Sequence, residues 1–367
     1  MQSLPLEAKI RMTKDRISEW YQAWTKYEIY DEASGETRFE VIDTRGHYME
    51  PPMSDTEYVV SAYPGQVYVS FSGGKDSTVL KHIVDSMYDD VPALFVNTGL
   101  EYPEIQKFAM SQKNVVTIRP TMRFDEVVKK FGYPVISKRV AGYAYSARRN
   151  PESQRARWLR GEDWTKFVAG GKYAYLIDAP FWSSARCCDV MNKAPAKRYQ
   201  KETGRLPMTG SMTCESVNRA DQWIKHGCNG FDMASPVSNP MSFWTEQDVL
   251  HYIKKYDVPY CSVYGEIRAK NGEEGVEGQM NIIDYLNAYE PEDELETTGC
   301  NRTGCIFCAF GCTREQEPNR FQRLKETHPR QYNYCINGGE MVDGTWQPNK
   351  DGLGLGFVLD YIGVKYD

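Results

Sequence analysis

The segment Ser70-Phe71-Ser72-Gly73-Gly74-Lys75-Asp76-Ser77 constrains this chain more than any other stretch of it. Residues 66–71 before it alternate in the manner of a strand, and residues 77–84 after it carry helical periodicity. Two glycines, a lysine and three serine hydroxyls therefore fall at a strand-to-helix turn. Glycines let successive backbone N–H groups point into one concavity, and the helix N-terminus adds partial positive charge. Lys75 and the hydroxyls of Ser70, Ser72 and Ser77 can then bind phosphate oxygens, so the pattern predicts a nucleotide-phosphate loop.

The rest of the chain supplies a frame for such a loop. From residue 66 strands (66–71, 93–96, 115–119) alternate with helices (77–87, 103–112, 123–131). Beyond them the pattern predicts a helix at 188–203, a strand at 206–210 and helices at 214–226 and 246–256. This rhythm predicts an α/β fold, a doubly wound parallel sheet covered on both faces, with ligand bound beyond the carboxyl ends of the strands. Residues 4–28 read as an amphipathic helix that packs on the fold or on a second subunit, which makes a homo-oligomer an expectation. Residues 29–65 read as a hairpin or linker. Residues 266–298 hold ten acids against two bases and read as a solvated insertion, with a helical pattern inside it at 280–288. Residues 318–335 read as helical, and an apolar run closes the chain at 357–364. The expected organisation is an N-terminal helix and linker (1–65), a nucleotide-binding α/β domain (66–262) and an acidic, cysteine-rich C-terminal region (263–367).

A net charge of −6 over 367 residues gives no global attraction to nucleic acid, so a polyanion must be met locally. Residues 138–160 offer a patch: Lys138, Arg139, Arg148, Arg149, Arg155, Arg157 and Arg160 against the single acid Glu152, with Tyr143, Tyr145 and Trp158 among them. It reads either as a solvated helical face or as a surface for nucleic acid or a phosphorylated acceptor. No apolar stretch approaches the roughly 20 residues that span a bilayer, and no signal-peptide pattern opens the sequence, so a cytoplasmic protein with no membrane partner is expected. Ten cysteines in that setting argue for metal or redox chemistry rather than a disulfide framework. Cys187 and Cys188 are adjacent, and Cys300, Cys305, Cys308 and Cys312 fall within thirteen residues. Four thiolates suit zinc and an iron–sulfur cluster equally. Cys214, Cys228 and Cys261 read as small buried hydrophobes.

The glycine loop is not a Walker A sequence; it resembles the SGGxDS loop of the ATP pyrophosphatases, within the adenine nucleotide α-hydrolase-like fold. Asn97-Thr98-Gly99-Leu100-Glu101-Tyr102-Pro103-Glu104 resembles the DTGxxFPET segment of phosphoadenosine phosphosulfate (PAPS) reductases. Gly210, Glu215, Ser216 and Arg219 resemble that family's GxRxxES…R segment, with Met212 where the family has arginine, and residues 240–249 resemble its P…W…DV segment. Ala185-Arg186-Cys187-Cys188 with Lys193, and the distant Cys305 and Cys308, resemble the CC…CxxC signature of the iron–sulfur branch.

The resemblance implies that Ser70, Ser72, Gly73, Gly74, Lys75, Asp76, Ser77, Asn97, Thr98, Gly99, Glu101, Gly210, Glu215, Ser216 and Arg219 bind an adenine nucleotide, ATP or PAPS, with Mg2+. It implies a [4Fe–4S] cluster on Cys187, Cys188, Cys305 and Cys308, with Cys300 and Cys312 in reserve. Lys75 and Asp76 are the candidate catalytic residues at the phosphates. Cys335 stands where the reductases keep a nucleophilic thiol, although Asn333-Tyr334-Cys335-Ile336 replaces their ECGxH context. A complete SGGxDS loop implies ATP cleavage with pyrophosphate release, AMP transfer to an acceptor, and sulfur transfer involving a thiol or sulfur donor protein. Similarity to iron–sulfur tRNA thiolases and DNA-phosphorothioation sulfurtransferases implies a nucleic-acid acceptor. The alternatives are reduction of PAPS or adenosine phosphosulfate to sulfite with a thiol donor, and a non-catalytic regulator that binds adenine nucleotide.

Overall fold

The computed structural model describes residues 1–44, 51–163, 171–270 and 294–367; the helical pattern at 280–288 lies outside them. The chain divides into two compact units. One comprises Met1–Val96, Tyr102–Ile118 and Lys197–Thr303, and the other Asn97–Glu101, Arg119–Ala196 and Gly304–Asp367.

In the first unit a six-stranded sheet runs in the order Val115–Ile118, Ala93–Val96, Val67–Ser70, Leu206–Thr209, Val237–Ser238, Asn229–Gly230. The first five strands are parallel and the last is antiparallel. Val67–Ser70 and Ala93–Val96 are short apolar runs buried along most of their length, as strands covered on both faces must be. The chain builds outward from Val67–Ser70 on one side, then restarts on its other side with Leu206–Thr209. Strand order thus reverses between those two strands, the place where open α/β sheets bind ligands. Helix Lys75–Asp85 buries Val79, Leu80, Ile83 and Val84 against this sheet's core, beside Val67, Val69 and Met208.

The N-terminal helix, Leu6–Ala23, puts Ile10, Ile17 and Trp20 into the same core, so it packs on its own fold. Two polar contacts fix it there. The buried Lys9 ammonium meets Asp248 at 2.6 Å, and the Trp244 indole donates to Thr13 Oγ1 at 2.8 Å. The helix stops earlier than its apolar spacing suggests, because Trp24–Asp31 becomes the central strand of an antiparallel sheet with Glu36–Asp43 and Glu57–Tyr63. Thr25, Tyr27 and Ile29 alternate at period two, and aromatic and β-branched residues favour the pleated state once partners exist.

The second unit is mostly helical. Lys138–Arg149 and Gln154–Arg160 are capped by Ser137 and Ser153, whose hydroxyls accept from the N–H groups of Val140 and Ala156. A short parallel pairing joins Val135–Ile136 to Ala309–Phe310, and an isolated bridge joins Tyr133 to Ser183. Helices Arg320–Thr327, Pro329–Ile336 and Leu355–Tyr361 complete the unit with a hairpin of Glu340–Val342 and Thr345–Gln347. Arg148, one of the cations of the basic stretch, donates to the carbonyls of Ala179 and Phe181 and lies 4.3 Å from the centre of the Trp182 ring, so its part is structural. Among the described residues no helix is long and apolar enough to cross a membrane.

Candidate functional site

The glycine loop leaves the carboxyl end of Val67–Ser70 and enters helix Lys75–Asp85, as its sequence pattern predicts. Gly73 has φ +73°, a conformation that disfavours a side chain. Serine hydroxyls pin the turn. Ser72 Oγ accepts from the Gly74 N–H at 3.3 Å and lies 3.0 Å from Ser77 Oγ; Ser77 and Thr78 each donate to the Gly74 carbonyl at 2.9 Å. Gly210, at the end of the neighbouring strand, comes so close that a Cβ there would lie 3.0 Å from the Asp76 carbonyl oxygen. Between these segments opens a cavity of about 290 Å3, lined among others by Ser72, Lys75, Asp76, Ser211, Arg219 and Arg302.

Charge in this cavity is dense and largely paired. Lys75 is only 5% exposed; its ammonium donates to the Asn301 carbonyl at 2.9 Å and meets Glu246 at 2.9 Å. Its backbone N–H donates to the Tyr264 hydroxyl at 3.2 Å. Glu215 holds two guanidiniums, Arg219 in a close ion pair and Arg302 at 3.1 Å. Burial, with the neighbouring Arg302 charge adding to it, draws Arg219 below the usual arginine range. Burial also raises the Asp76 carboxyl, and its Oδ1 is a buried atom with no hydrogen-bond partner, 3.9 Å from the Lys75 ammonium. An orphaned carboxylate oxygen beside a phosphate loop fits a hard, oxygen-binding cation such as Mg2+.

Of the residues singled out from sequence, Ser70, Ser72, Gly74, Lys75, Asp76, Ser77, Gly210, Glu215 and Arg219 line this one cavity. Ser216 instead caps helix Val217–His226, accepting from the Arg219 N–H. Sequence reasoning missed Tyr264, Asn301, Arg302 and the lysine partner Glu246. Asn301 and Arg302 lie between Cys300 and Cys305, where the sequence signals only cysteines, and Glu246 opens a predicted helix with nothing to mark it as a lysine partner.

The Asn97, Thr98, Gly99 and Glu101 segment belongs to the second unit. There it forms a tight turn: Asn97 Oδ1 accepts from the Gly99 N–H at 3.2 Å, and Thr98 donates to Glu101 at 2.5 Å. The Leu100 carbonyl accepts from the Ile306 N–H at 2.8 Å, which ties this turn to the one carrying Cys305 and Cys308. Glu101 Oε2 is buried without a partner.

Cys187, Cys188, Cys305 and Cys308 occupy one neighbourhood of the second unit. A hydrogen bond from Cys187 lowers the Cys188 thiol, with Lys138 and Lys193 adding to the pull, while the same bond and burial push Cys187 up. Cys187 also feels the charges of Cys308 and Cys305. Burial pushes Cys305 up to about 12 and raises Cys308. Among the described residues, no three His, Cys, Asp or Glu side chains converge tightly enough for a single ion. An all-thiol set with Lys138, Lys193 and Arg320 near its sulfurs fits the donor chemistry and negative charge of a thiolate-bound centre, zinc or a four-iron cluster. Cys312 is buried and donates to the Ala309 carbonyl at 2.9 Å; Cys300 belongs to the first unit. Cys335 is 0% exposed within Pro329–Ile336, and burial alone pushes its thiol far up. None of the ten cysteines is in a disulfide.

The model of the phosphoadenosine phosphosulfate reductase domain matches residues 66–140 and 166–312, more than half of the chain. That span takes in the glycine loop, the Gly210–Arg219 segment and both cysteine pairs. An uncharacterized protein of Methanocaldococcus jannaschii is 23% identical over 276 residues, covering 74% of this chain and 47% of its own length. A phosphoadenosine 5'-phosphosulfate reductase of Alkalilimnicola ehrlichii is 23% identical over 210 residues, 56% of this chain and 68% of its own. The chain thus spans about half the length of the archaeal relative.

Proposed function

Because the chain belongs to the phosphoadenosine phosphosulfate reductase family, we propose that it is an ATP-using member that adenylates an acceptor, releases pyrophosphate and transfers sulfur to the activated position. The observation that carries this reading is the complete glycine loop at the strand-order reversal, opening on a cavity lined by Lys75, Arg219 and Arg302. A sulfonucleotide brings no β,γ-pyrophosphate to such a loop; ATP does.

In this reading the backbone N–H groups of Gly73 and Gly74, the hydroxyls of Ser72 and Ser77 and the Lys75 ammonium hold the β- and γ-phosphates. Asp76 takes Mg2+ through its orphaned oxygen. Arg219 and Arg302 face the charge that builds on the phosphates as an acceptor oxygen bonds to the α-phosphorus and the bond to the β-phosphate oxygen breaks. Pyrophosphate leaves with that electron pair. Sulfur, delivered by a donor as hydrosulfide, then bonds to the activated carbon, and AMP leaves with the acceptor oxygen and the electron pair of the broken carbon–oxygen bond. Cys187, Cys188, Cys305 and Cys308 would hold a [4Fe–4S] cluster, which binds or relays sulfur and electrons when present. Nucleic acid is the acceptor class, and ten unpaired thiols suit the reducing cytoplasm.

The name of the Alkalilimnicola ehrlichii relative favours a second reading, reduction of PAPS to sulfite. That chemistry needs an accessible nucleophilic thiol, and the residue at the expected position, Cys335, is fully buried. Anaerobic protein given ATP, Mg2+, sulfide and bulk RNA or DNA should release pyrophosphate, with no sulfite formed from PAPS and dithiothreitol in parallel. Sulfite without pyrophosphate overturns the proposal.

A further inference from the structure

A second cavity, of about 810 Å3, lies wholly within the second unit and belongs to neither site described above. Its lining includes Phe131, Tyr145, Arg149, Arg155, Arg186 and Asp189, and the last two flank Cys187 and Cys188 in the chain. Its size suits a nucleotide-sized guest.

The three arginines differ in how they are held. Arg186 shares Asp189 at 3.7 Å with Lys193 at 3.0 Å, so this one carboxylate is outnumbered. No carboxylate ion pair holds Arg149 or Arg155 among the described residues; Arg155 donates to Ser146 Oγ at 3.0 Å, and the Arg149 guanidinium lies 5.8 Å from the centre of the Tyr145 ring. The Arg186 guanidinium lies 5.5 Å from the centre of the Phe131 ring. Cations backed by aromatic rings form a surface where a base can stack while its phosphates are neutralised. Beyond the cavity, Lys138, Arg139 and Arg157 are also exposed on the same two helices, with Glu152 the only acid between residues 138 and 160. A mononucleotide would fill the cavity without engaging these other exposed cations. A polynucleotide backbone uses both.

We infer that the cavity between helices Lys138–Arg149 and Gln154–Arg160 and the Cys187–Cys188 turn receives an unstacked nucleotide of a single-stranded nucleic acid, with Arg149, Arg155 and Arg186 on its phosphates and Tyr145 and Phe131 beside its base. This deepens the proposed function by assigning the nucleic-acid acceptor a place, and it rests on that acceptor being nucleic acid. Bases in an intact duplex are stacked and out of reach of the rings, so single strands bind more tightly.

The test is fluorescence anisotropy of the full chain with a fluorescein-labelled 20-nucleotide DNA strand, the RNA of the same sequence and the matching duplex, over a salt series. Single strands of either sugar should bind, the duplex at least fivefold more weakly, and the preferred sugar identifies the acceptor type. The double variant Arg149→Ala/Arg155→Ala should weaken single-strand binding at least tenfold and lower the slope of log affinity against log salt by about 1.4, at roughly 0.7 per phosphate contact. ATP affinity, measured by titration calorimetry on the same sample, should stay within twofold. Absence of strand binding at 50 mM salt, an unchanged double variant, a duplex bound as tightly as the strand, or displacement by millimolar AMP with no dependence on strand length each overturns the inference. Strand binding by a wild-type chain that fails to bind ATP would instead overturn the adenylation reading and leave this site standing.

Discussion

Lys75 in the free protein is already engaged, and that gives the phosphate-loop assignment a test with two opposite signs. Its ammonium is held by Glu246 and the Asn301 carbonyl, both at 2.9 Å, so incoming phosphate must draw it from existing partners. Lys75→Ala removes a charge-assisted contact to phosphate worth about 1.5–3 kcal/mol, so ATP affinity should fall roughly 10- to 150-fold. Glu246→Gln acts the other way, because it releases the competing carboxylate. Glu246 is 53% exposed, so solvent screens the pair, and about 0.5 kcal/mol is a fair value for it. ATP should therefore bind about twofold more tightly to Glu246→Gln. Titration calorimetry with a non-hydrolysable ATP analogue and Mg2+ reads both, and thermal melts within a few degrees of wild type would show both variants folded. A Lys75→Ala variant within twofold of wild type would refute the loop's role in phosphate binding. Tenfold weaker binding by Glu246→Gln would mean that Glu246 contacts the ligand or its metal rather than competing with it.

Cys187→Ser and Cys308→Ser should each lower iron per chain in anaerobically purified protein by elemental analysis, and zinc in place of iron in the wild type would contradict the cluster. Cys335→Ser should retain iron and pyrophosphate release yet melt several degrees lower, since an unpartnered buried hydroxyl costs about 1–3 kcal/mol; loss of activity in a folded Cys335→Ser variant would restore the nucleophile reading. His82 is half-buried, and burial holds its pKa below the ordinary 6.5 against the pull of Asp85. Below that value the unfolded chain binds the proton more readily, so stability should fall as pH drops from 7 to 5, and His82→Gln should flatten the decline in melting temperature. Arg148→Ala should lower the melting temperature, because the Ala179 and Phe181 carbonyls lose their donor, while single-strand affinity changes less than threefold; a larger loss in anisotropy would move Arg148 from scaffold to contact surface.

What the sequence reveals here depends on how far apart the participants lie along the chain. The loop from Ser70 to Ser77 is contiguous, and its strand and helix are written in the flanking residues, so both position and conformation were legible. The parallel sheet was legible too, since short apolar strands alternate with amphipathic helices. The loop's partners were not. Tyr264 and Asn301 meet Lys75 across separations of 189 and 226 residues, and no local pattern encodes such a contact. The N-terminal region failed differently: Trp20, Tyr21 and Trp24 continue a helical spacing, and only pairing with two later strands makes residues 24–31 extended. The four cysteines were found through family motifs rather than geometry. Their convergence rests on two backbone registrations within one short segment, Tyr133 with Ser183 and Val135–Ile136 with Ala309–Phe310, which bring the stretches before Cys187 and after Cys308 alongside each other.

Met212 stands where the resemblance to the family's GxRxxES segment implies an arginine. Where the family has arginine, this side chain is 3% exposed and part of the apolar core of the first unit, so it brings no charge to the nucleotide cavity. Arg302 lies among that cavity's lining residues and shares Glu215 with Arg219. The cavity thus keeps two guanidiniums beside the loop, with one drawn from the segment that leads to Cys305 rather than from the strand end. A guanidinium presented from this segment approaches its target from its own direction, and planar, bidentate recognition depends on that direction. Under the proposed reading, this arginine pair and the phosphate loop lie in one cavity and together would hold a nucleotide by its phosphate chain.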